Sequence, residues 1–488
     1  MAAKMLRFVT VRQGMPEKRT PERRRGDFDE IYAEYRPEKA AEQAGRCSQC
    51  GVPFCQIHCP LHNNIPDWLM LTAEGRLEEA YEVAAATNNM PEVCGRICPQ
   101  DRLCEGNCVI ETAGHGTVTI GSVEKYITDT AWERGWVKPI RPPREREHSV
   151  GIVGAGPAGL AAAEQLRRKG YRIHVYDRYD RVGGLLTYGI PNFKLEKDVV
   201  ARRAKWLGEG GIRFHLETEV GRDIALGELR RRHEAVLIAT GVYKARDMQA
   251  PGSGLAGIVQ AMTYLTASNR KGLGDTVPEF ESGKLDAEGK DVVVIGGGDT
   301  AMDCVRTAVR QGAKSVKCLY RRDRENMPGS MREVKHAEEE GVEFVWLTAP
   351  EAFDGAAKSA VGRVATVVGH RIRLGARDAT GRGAPVKVED SNFRLPADLV
   401  IKALGFDPEP LPVLFKAPEL AVTDWGTVKV NHRTLMSNLD GVFAAGDIVR
   451  GASLVVWAIR DGRDAAASID RYIRAKVAAA GVSAIAAE

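Results

Sequence analysis

Ten cysteines occur in the chain, and eight of them are concentrated in one stretch of the N-terminal part. The first run has the spacing C-x2-C-x4-C-x3-C-P and contains Cys47, Cys50, Cys55 and Cys59. The second has the spacing C-x3-C-P-x4-C-x3-C and contains Cys94, Cys98, Cys104 and Cys108. Closely spaced thiolates can converge on one inorganic core, and a proline after the last cysteine is typical of bacterial ferredoxins. The spacing therefore predicts two [4Fe–4S] clusters.

Zinc is the main alternative ligand for these cysteines. Zinc ribbons prefer paired C-x2-C knuckles, and only Cys47 and Cys50 have that spacing. The nearby His58 and His62 are expected to be surface or packing residues. The other two cysteines do not form a C-x-x-C pair, so a dithiol reductase mechanism has no candidate residues. Each is expected to be a small buried side chain; they are Cys304 and Cys318.

Two glycine-rich loops each follow an apolar strand and open a helix. In the first loop, Gly154, Gly156 and Gly159 form G-x-G-x-x-G after the strand SVGIV. These glycines allow a tight turn, the approach of a pyrophosphate to backbone N–H groups, and close packing of helix on strand. Asp177 ends the next strand, where a carboxylate can accept the ribose hydroxyls. This unit is predicted to bind a dinucleotide.

FAD is the predicted dinucleotide of the first unit. Gly184 belongs to a second glycine pair, and Thr240 ends a strand in small residues suited to contact with a nucleotide. Gly446 and Asp447 precede a helix whose N-terminus can stabilise negative charge on reduced flavin. Asp447 can also hydrogen-bond the ribityl chain, although an aspartate there, taken alone, is equally consistent with a turn residue.

The second unit differs at the position that selects the cofactor. Its glycine loop and the start of the following helix contribute Gly296, Gly298, Asp299 and Ala301. The next strand ends in Arg321 and Arg322 instead of an acid, and guanidinium groups attract a 2′-phosphate that a carboxylate would repel. The sequence therefore predicts NADPH over NADH, with Arg324 as a further candidate contact. A solvated arginine pair is the alternative.

The fold class that must position these residues is α/β. Of the 488 residues, 44% are apolar, which allows about three packed domains. We expect a mostly helical iron–sulfur domain at 1–145, followed by two doubly wound dinucleotide-binding domains of the flavin disulfide-reductase type. The FAD-binding domain is expected at 146–250 and 426–488, and the NADPH-binding domain at 251–425. The chain is expected to cross between these two domains around residues 245–252 and around Trp425.

Local patterns give further expectations. Apolar periodicity predicts one helix over Asp67–Asn88 and another over Ser122–Trp136, with Ser122 as its cap.

The basic segment from Lys4 to Arg25 is expected to be a solvated arm, with a docking surface as the alternative. A net charge of +4 does not favour nucleic acid as a partner. No secretory signal and no bilayer-spanning apolar run is found, so a cytoplasmic protein is expected.

Together these parts form an electron path. NADPH gives up a hydride as a two-electron unit, whereas iron–sulfur clusters accept one electron at a time. Flavin can do both, so it belongs between them. No acid–base dyad or nucleophile motif is found, and hydride transfer needs none. The chain is therefore predicted to be an NADPH-oxidising flavin and iron–sulfur oxidoreductase.

The order of the motifs resembles that of one bacterial family, the small (beta) subunit of NADPH-dependent glutamate synthase. The matching stretches are the cysteine runs, VGIVGAGPAGLAAAEQL, RVGGLLTYGIPNFKL, VVVIGGGDTAMDC, YRRDRENMPG and GVFAAGD. The resemblance implies that electrons from NADPH pass through FAD and the clusters to a large subunit. That partner, which holds FMN and a [3Fe–4S] cluster, makes glutamate from glutamine and 2-oxoglutarate. The alternatives are the same module serving a pyrimidine reductase or ferredoxin:NADP transhydrogenase, and a zinc-stabilised nucleotide-binding sensor without turnover.

A resemblance to the electron-input region of dihydropyrimidine dehydrogenase divides the cysteines into two sets. The first cluster would take Cys47, Cys50, Cys55 and Cys108. The second would take Cys59, Cys98 and Cys104. A glutamine completes the second cluster in that relative, and Glu124 stands at the matching position here. Cys94 is chemically the better ligand, so the eighth ligand is Glu124 by resemblance or else Cys94.

Overall fold

The N-terminal part of the chain is helical and carries the eight clustered cysteines. The structure, a computed structural model, describes residues 5–355, 362–377 and 381–485. Before the first strand it contains two 3₁₀ turns, Arg7–Val9 and Gln100–Arg102, and the helices α1 (Pro21–Arg25), α2 (Pro37–Ala44), α3 (Phe54–Ile57), α4 (Ile65–Glu74), α5 (Leu77–Thr87), α6 (Pro91–Ile97), α7 (Val109–Thr112) and α8 (Ile120–Glu133). The prediction of a mostly helical domain is confirmed.

Two helices of this domain differ from their predicted bounds. The sequence predicts a single helix over Asp67–Asn88, but α4 ends at Glu74 and α5 follows as a separate helix. Gly75 ends α4 with φ of +81°, a left-handed conformation that glycine adopts without strain. α8 begins at Ile120, so Ser122 lies inside its first turn and does not cap it.

The first α/β unit contains the glycine loop predicted to bind FAD. Its strands are β1 (Ser149–Val153), β2 (Arg172–Tyr176), β3 (Arg213–His215), β4 (Ala235–Ile238) and β16 (Val442–Ala444). They form a parallel sheet in the order β16-β4-β1-β2-β3. Its helices are α9 (Pro157–Arg168), α10 (Leu185–Tyr188), α11 (Lys197–Glu209), α12 (Leu226–Arg232), α17 (Leu411–Leu414), α18 (Asp447–Arg450) and α19 (Val455–Ile485). As predicted, the strand at the end of the chain returns to this unit.

The second α/β unit repeats the plan around the other glycine loop. Its strands are β6 (Ile258–Gln260), β7 (Asp291–Ile295), β8 (Ser315–Tyr320), β9 (Glu343–Trp346) and β14 (Leu399–Lys402). They form a parallel sheet in the order β6-β14-β7-β8-β9. Its helices are α13 (Ala261–Gly272), α14 (Pro278–Glu281), α15 (Asp299–Arg310) and α16 (Met331–Glu339). An antiparallel sheet, absent from the sequence predictions, is inserted after β9 and comprises β10 (Thr348–Gly355), β11 (Val364–Arg377), β12 (Gly383–Lys387) and β13 (Phe393–Pro396).

Two short strands, β5 (Lys244–Ala245) and β15 (Phe406–Asp407), mark where the chain passes between the α/β units. They pair antiparallel, and β5 agrees with the expected first crossing. The second crossing differs from the expected position around Trp425. Leu411 and Phe415 already pack in one core cluster with Val153 and Tyr176 of the first unit. The chain returns near β15 because these apolar side chains complete that core.

The C-terminal helix ties the first α/β unit to the helical domain. α19 packs along α9, and Arg460 Nη1 donates to the Pro60 carbonyl oxygen at 2.7 Å. Arg463 Nη1 donates to Asn89 Oδ1 at 2.8 Å. In the described part of the chain, neither α19 nor any other helix is long and apolar enough to cross a membrane.

Within the basic segment predicted from Lys4 to Arg25, Lys4 lies outside the described residues, and the part around α1 is docked on the second α/β unit, in contrast to the expected solvated arm. Arg24 on α1 is 1% exposed, and its guanidinium donates to Glu340 Oε1 at 3.1 Å and to Glu339 Oε2 at 2.9 Å. Glu340 also accepts hydrogen bonds from Arg306 and Arg310. Burial would raise the Glu340 pKa, but these two arginines outweigh it and lower the pKa to about 2. A buried guanidinium needs a paired anion, so this carboxylate fixes the segment in place.

Replacing Arg24 should release this segment. Arg24→Ala removes hydrogen bonds to charged groups but leaves Glu340 paired with two arginines, so the free energy of local opening should fall by about 1.5–3 kcal/mol. Trypsin cleavage at the neighbouring basic residues, followed by mass spectrometry, should accelerate roughly 10- to 100-fold. Glu343→Ala, which removes the largely exposed partner of Lys317, is the control and should leave the rate unchanged. Equal rates for Arg24→Ala and wild type would contradict the docking.

Candidate functional site

A cavity of about 370 Å³ lies where the helical domain and both α/β units meet. The first α/β unit lines it with Gly154, Gly156, Asp177, Gly184, Thr240 and Asp447. The second contributes Asp299, Asp303, Glu333 and His336. The helical domain contributes Cys98. Most residues predicted to hold FAD therefore share one space with a predicted cluster ligand.

In the first glycine loop Gly154 and Gly159 are tightly packed, whereas the space beside Gly156 is open. Gly154 has φ of +110°, and a Cβ there would lie 2.4 Å from the Ala239 carbonyl oxygen. A Cβ on Gly159 would lie 2.0 Å from the Gly154 carbonyl oxygen, because α9 packs closely on β1. A Cβ on Gly156 would meet no atom within 4 Å. The loop therefore leaves the N-terminus of α9 accessible to a phosphate.

Three polar side chains border the cavity beside this loop. Asp177 accepts hydrogen bonds from two backbone N–H groups at 2.6 and 2.9 Å, and burial raises its pKa. Asp447 accepts a hydrogen bond from the Ser453 hydroxyl at 2.9 Å, and burial raises its pKa as well. The Thr240 hydroxyl is buried without a hydrogen-bond partner among the described residues. An unpaired buried hydroxyl is costly, so this atom fits a site that a nucleotide would complete.

The second glycine loop has the same arrangement. A Cβ on Gly296 would lie 2.3 Å from the Ala403 carbonyl oxygen, whereas a Cβ on Gly298 would meet no atom within 4 Å. Asp299, the first residue of α15, accepts a hydrogen bond from a backbone N–H at 3.0 Å. Ala301 is fully buried. The N-terminus of α15 is therefore also open to a phosphate.

The three arginines expected near a 2′-phosphate have different surroundings. Arg321 follows β8 directly and is exposed. Arg322 is 4% exposed, and its Nε donates to the Gly383 carbonyl oxygen at 2.9 Å. Arg324 forms an ion pair with Glu338. Arg321 is thus the best placed of the three to contact a ligand.

The first predicted cysteine set shares a small cavity in the helical domain. It is lined by Cys47, Cys50, Cys55 and Cys108, although Cys108 belongs to the second run. Phe54 and Val109 form part of the same wall. Burial raises the pKa of Cys47 to about 11 and that of Cys55 to about 12. The sulfurs would therefore become thiolates only when a cationic core displaces their protons.

The second predicted cysteine set lies around Glu124. Burial raises the pKa of Cys59 to about 11, and the nearby charges of Glu124 and Cys94 add to this effect. A hydrogen bond with Cys94, together with burial, raises the pKa of Cys98. Burial also raises the pKa of Cys104, and Glu124 contributes there too. The three predicted cysteines and both candidates for the eighth ligand are therefore neighbours.

The Glu124 carboxylate is held by two asparagine amides. Its Oε1 atom accepts hydrogen bonds from Asn63 Nδ2 at 3.0 Å and from Asn88 Nδ2 at 3.1 Å, and burial raises its pKa to about 8. The Cys94 thiol donates to Asn88 Oδ1, with 3.7 Å between sulfur and oxygen. Both amide bonds end on Oε1, so Oε2 is the oxygen that the asparagines leave for another partner. Neither asparagine belongs to a motif that the sequence reveals as a site.

A single-ion metal site is absent from the described residues. No three His, Cys, Asp or Glu side chains there lie close enough to share one metal ion.

Buried ion pairs attach the helical domain to the first α/β unit beside the cavity. Arg203 on α11 forms two hydrogen bonds with the Glu92 carboxylate on α6, at 2.7 and 2.8 Å. Arg96, two residues before Cys98, pairs with Asp129 at 2.8 Å, and Arg202 of the first unit pairs with the same carboxylate. Because separating buried charges is costly, Cys98 is kept at the cavity wall.

A lysine at the cavity was not identified from the sequence, although it lies in the RVGGLLTYGIPNFKL motif. Lys194 of the first α/β unit donates to Asp303 Oδ1 of the second at 2.9 Å and lies 3.6 Å from Glu333 Oε2. Burial raises the pKa of Asp303 to about 6, against the lowering effect of Lys194. This ion pair therefore links the two dinucleotide units where they meet.

Known families and folds match this architecture. The family "Pyridine nucleotide-disulphide oxidoreductase" matches residues 148–462, and "Dihydropyrimidine dehydrogenase domain II, 4Fe-4S cluster" matches residues 24–136. The solved structure of Mycobacterium tuberculosis FprA in complex with NADPH shares the fold, with a TM-score of 0.57 and 21% identity over 68% of this chain and 86% of that chain. The chain is thus an oxidoreductase of the pyridine nucleotide-disulphide class with an N-terminal 4Fe–4S domain.

Sequence relatives narrow this class. The chain is 69% identical over 476 residues to the glutamate synthase [NADPH] small chain of Azospirillum brasilense, and the match covers 98% of each chain. It is 44% identical over 479 residues to the Escherichia coli small chain, covering 97% of this chain and 100% of the relative. The chain belongs to the family of glutamate synthase [NADPH] small chains. This confirms the resemblance carried by its motifs.

Removing the Lys194 charge should destabilise the junction between the α/β units. Lys194→Met leaves a buried carboxylate without its cation, a loss of about 3–5 kcal/mol when Asp303 is ionised. In the folded chain the pKa of Asp303 is raised to about 6. Its contribution to the free energy of unfolding is therefore present at low pH and is lost as the pH rises through about 6. The difference between variant and wild type, measured by urea unfolding, should therefore widen from about pH 5 to about pH 8.

Two further variants separate this effect from a general loss of packing. Lys194→Met combined with Asp303→Asn should recover part of the loss and abolish its pH dependence, because no unpaired carboxylate remains at residue 303. Lys205→Met removes the largely exposed partner of Glu209 and should change stability by less than about 1 kcal/mol. A loss that is independent of pH would contradict the proposed pairing.

Proposed function

We propose that this chain is the electron-input subunit of an NADPH-dependent glutamate synthase. It oxidises NADPH at FAD and passes the electrons through two [4Fe–4S] clusters to a large subunit carrying FMN and a [3Fe–4S] cluster, which makes glutamate from glutamine and 2-oxoglutarate. The proposal rests on one observation above all. The same cavity is lined by Cys98, by most of the residues predicted to bind FAD, and by Asp299 of the second unit.

The first α/β unit provides the residues proposed to bind FAD. When bound there, FAD and the clusters supply the conversion of a hydride into single electrons. The pyrophosphate would lie at the open Gly156 and the N-terminus of α9, the ribose at Asp177 and the ribityl chain at Asp447. The unpaired Thr240 hydroxyl supports this fit. The remaining FAD contacts are proposed at Gly154, Gly159, Gly184 and Gly446.

The second α/β unit provides the residues proposed to bind NADPH. The open Gly298 and the N-terminus of α15 would receive the pyrophosphate, and Arg321 the 2′-phosphate. Arg322 is proposed to act less directly, since it anchors the end of β8 to the inserted sheet. The Lys194–Asp303 pair would keep the two units in one relative orientation. The other proposed contacts are Gly296, Asp299 and Ala301.

The cysteines and one carboxylate are the proposed cluster ligands. The first cluster is assigned to Cys47, Cys50, Cys55 and Cys108. The second is assigned to Cys59, Cys98, Cys104 and Glu124. Glu124 is proposed over Cys94 on the resemblance to dihydropyrimidine dehydrogenase, and its Oε2 atom is not used by the two asparagines. A cytoplasmic location is also proposed, because reduced clustered cysteines suit a reducing compartment.

Anaerobic titration with NADPH tests this function. The purified chain should contain about eight iron and eight sulfide per polypeptide, and NADPH should bleach the flavin band and then the cluster absorbance. Cys98→Ala should lose iron and the second phase, yet still reduce ferricyanide through the flavin. Cys304→Ala, a buried cysteine outside both sets, is the matched control and should behave as wild type. Zinc in place of iron, without bleaching by NADPH, would overturn the proposal.

Iron content distinguishes the two candidates for the eighth ligand. Glu124→Ala should reduce iron and sulfide to about half, because one four-iron cluster loses a ligand. Cys94→Ala should leave both unchanged, since its thiol is not assigned to a cluster. The opposite result, with iron lost in Cys94→Ala alone, would move the ligand role to Cys94.

The acceptor decides between this function and its nearest alternatives. Adding the large glutamate synthase subunit should produce NADPH oxidation that requires both glutamine and 2-oxoglutarate. The 69% identity to the Azospirillum brasilense small chain over nearly the full length of both proteins supports this partner. Turnover with uracil or with a ferredoxin, and none with glutamine, would favour a pyrimidine reductase or a ferredoxin:NADP transhydrogenase instead.

A further inference from the structure

The part of the chain that contains α1 is folded into a hairpin. The backbone N–H of Arg19 donates to the Ile31 carbonyl oxygen at 3.0 Å, and that of Ala33 donates to the Glu17 carbonyl oxygen at 2.9 Å. An antiparallel bridge lies between these two hydrogen bonds, so the two arms run side by side and α1 connects them. We call residues 17–33 the N-terminal hairpin. Because its arms are paired, it can dock or detach as one unit.

The second arm of the N-terminal hairpin lines the large cavity. Four consecutive residues of this arm belong to the cavity wall: Glu30, Ile31, Tyr32 and Ala33. The same cavity is lined by the proposed FAD residues and by the first turns of α15 in the second α/β unit. The hairpin therefore borders the space between the two proposed dinucleotide sites, although it is not part of either α/β unit.

Side chains of the hairpin anchor it to α16 of the second unit. The Tyr32 hydroxyl lies 3.0 Å from His336 Nε2, within hydrogen-bond distance. Lys18 Nζ donates to the Glu339 carboxylate at 2.6 and 2.8 Å, in addition to the contacts of Arg24 with the same helix. His336 itself lines the cavity. The hairpin is thus held where α16 meets the cavity.

The hairpin also contacts the other two parts of the chain. Asn192 Nδ2 of the first α/β unit donates to the Phe28 carbonyl oxygen at 3.0 Å. Arg96 Nε of α6 donates to Glu30 Oε1 at 2.5 Å. Since the helical domain and both α/β units all hold it, the docked hairpin closes the cavity at the place where these three parts meet.

The anchoring helix is bonded to the second glycine loop. The backbone N–H of Ser330, the residue before α16, donates to Asp299 Oδ1 at 3.0 Å. The backbone N–H of Gly329 donates to the Gly297 carbonyl oxygen at 3.0 Å. The N-terminus of α15 in this loop is open to a phosphate. A nucleotide held there, with its other end directed to the proposed FAD residues, would extend through the space that the hairpin lines.

We propose that the N-terminal hairpin is a wall of the site for the nicotinamide half of NADPH, and that bound nucleotide and docked hairpin stabilise each other. The inference rests on the proposed NADPH site. A ligand that contacts both the hairpin and the second unit binds the docked state more tightly than the open state, and the coupling is then reciprocal. The docked hairpin also excludes water from the cavity in which the hydride is transferred.

Limited trypsin digestion of the unmodified chain, loaded with flavin and clusters and kept anaerobic, tests the coupling. NADP⁺ serves as the ligand because it binds without reducing the protein. Cleavage after Arg23 and Arg25 on α1 requires the hairpin to open, so saturating NADP⁺ should slow it roughly fivefold or more. Cleavage at residues 230–232, on the exposed end of α12 in the first unit, is the internal control and should keep its rate.

A half ligand shows which end of the nucleotide meets the hairpin. Adenosine 2′,5′-bisphosphate has the 2′-phosphate but lacks the nicotinamide half, so it should compete with NADP⁺ and yet leave cleavage of the hairpin nearly as fast as without ligand. Equal protection by both ligands, or no protection by saturating NADP⁺, would overturn the inference and leave the proposed function standing. Failure of NADP⁺ to bind the loaded chain at all would instead overturn the proposed NADPH site.

A substitution in the cavity wall provides the reciprocal measurement. Tyr32→Ala removes a wall side chain together with its hydrogen bond to His336, so the Kd for NADP⁺, from anaerobic titration of the flavin spectrum, should rise roughly tenfold. Its Kd for adenosine 2′,5′-bisphosphate and its iron content should match wild type, which distinguishes the effect from misfolding. Glu22→Ala, on the exposed side of α1 and outside the cavity wall, is the matched control and should bind NADP⁺ as wild type. Wild-type affinity for NADP⁺ in Tyr32→Ala would contradict the inference.

Discussion

Buried ion pairs between separate parts of the chain hold this structure together around one cavity. Glu92 and Arg203 join the helical domain to the first α/β unit, and Lys194 and Asp303 join that unit to the second. Removing one partner from such a pair leaves an unpaired buried charge, which typically costs about 3–5 kcal/mol. The relative positions of the three parts are therefore restricted, and the cavity they enclose has a defined shape.

That restriction matters because the proposed chemistry depends on distance. A hydride passes between nicotinamide and flavin only at contact, and single electrons cross from flavin to cluster only over a short gap. Cys98, a proposed ligand of the second cluster, would meet the second requirement because it lines the cavity itself. The ion pairs of Arg96 and Arg202 with Asp129 lie beside it. The charged residues at this junction thus serve electron transfer by fixing positions rather than by reacting.

The helical domain has two different faces. One faces the first α/β unit through charged residues and carries the second cysteine set. The other carries exposed hydrophobic side chains beside the first set, among them Val52, Phe54 and Val109.

The sequence by itself determined the chemistry of this protein, because that chemistry is encoded in short spacings. The cysteine runs, the two glycine loops and the arginines after β8 each occupy a few neighbouring residues, and the family and the fold class could be predicted from them. Only the tertiary structure decided which of these residues meet. It brought Cys108 to the first run, directed Cys98 to the cavity, and placed Lys194 beside Asp303, 109 residues away. It also showed that Arg24 contacts Glu340, that the chain returns to the first α/β unit near β15 and not around Trp425, and that an antiparallel sheet follows β9. Contacts between such distant residues depend on packing and burial, which local patterns do not contain.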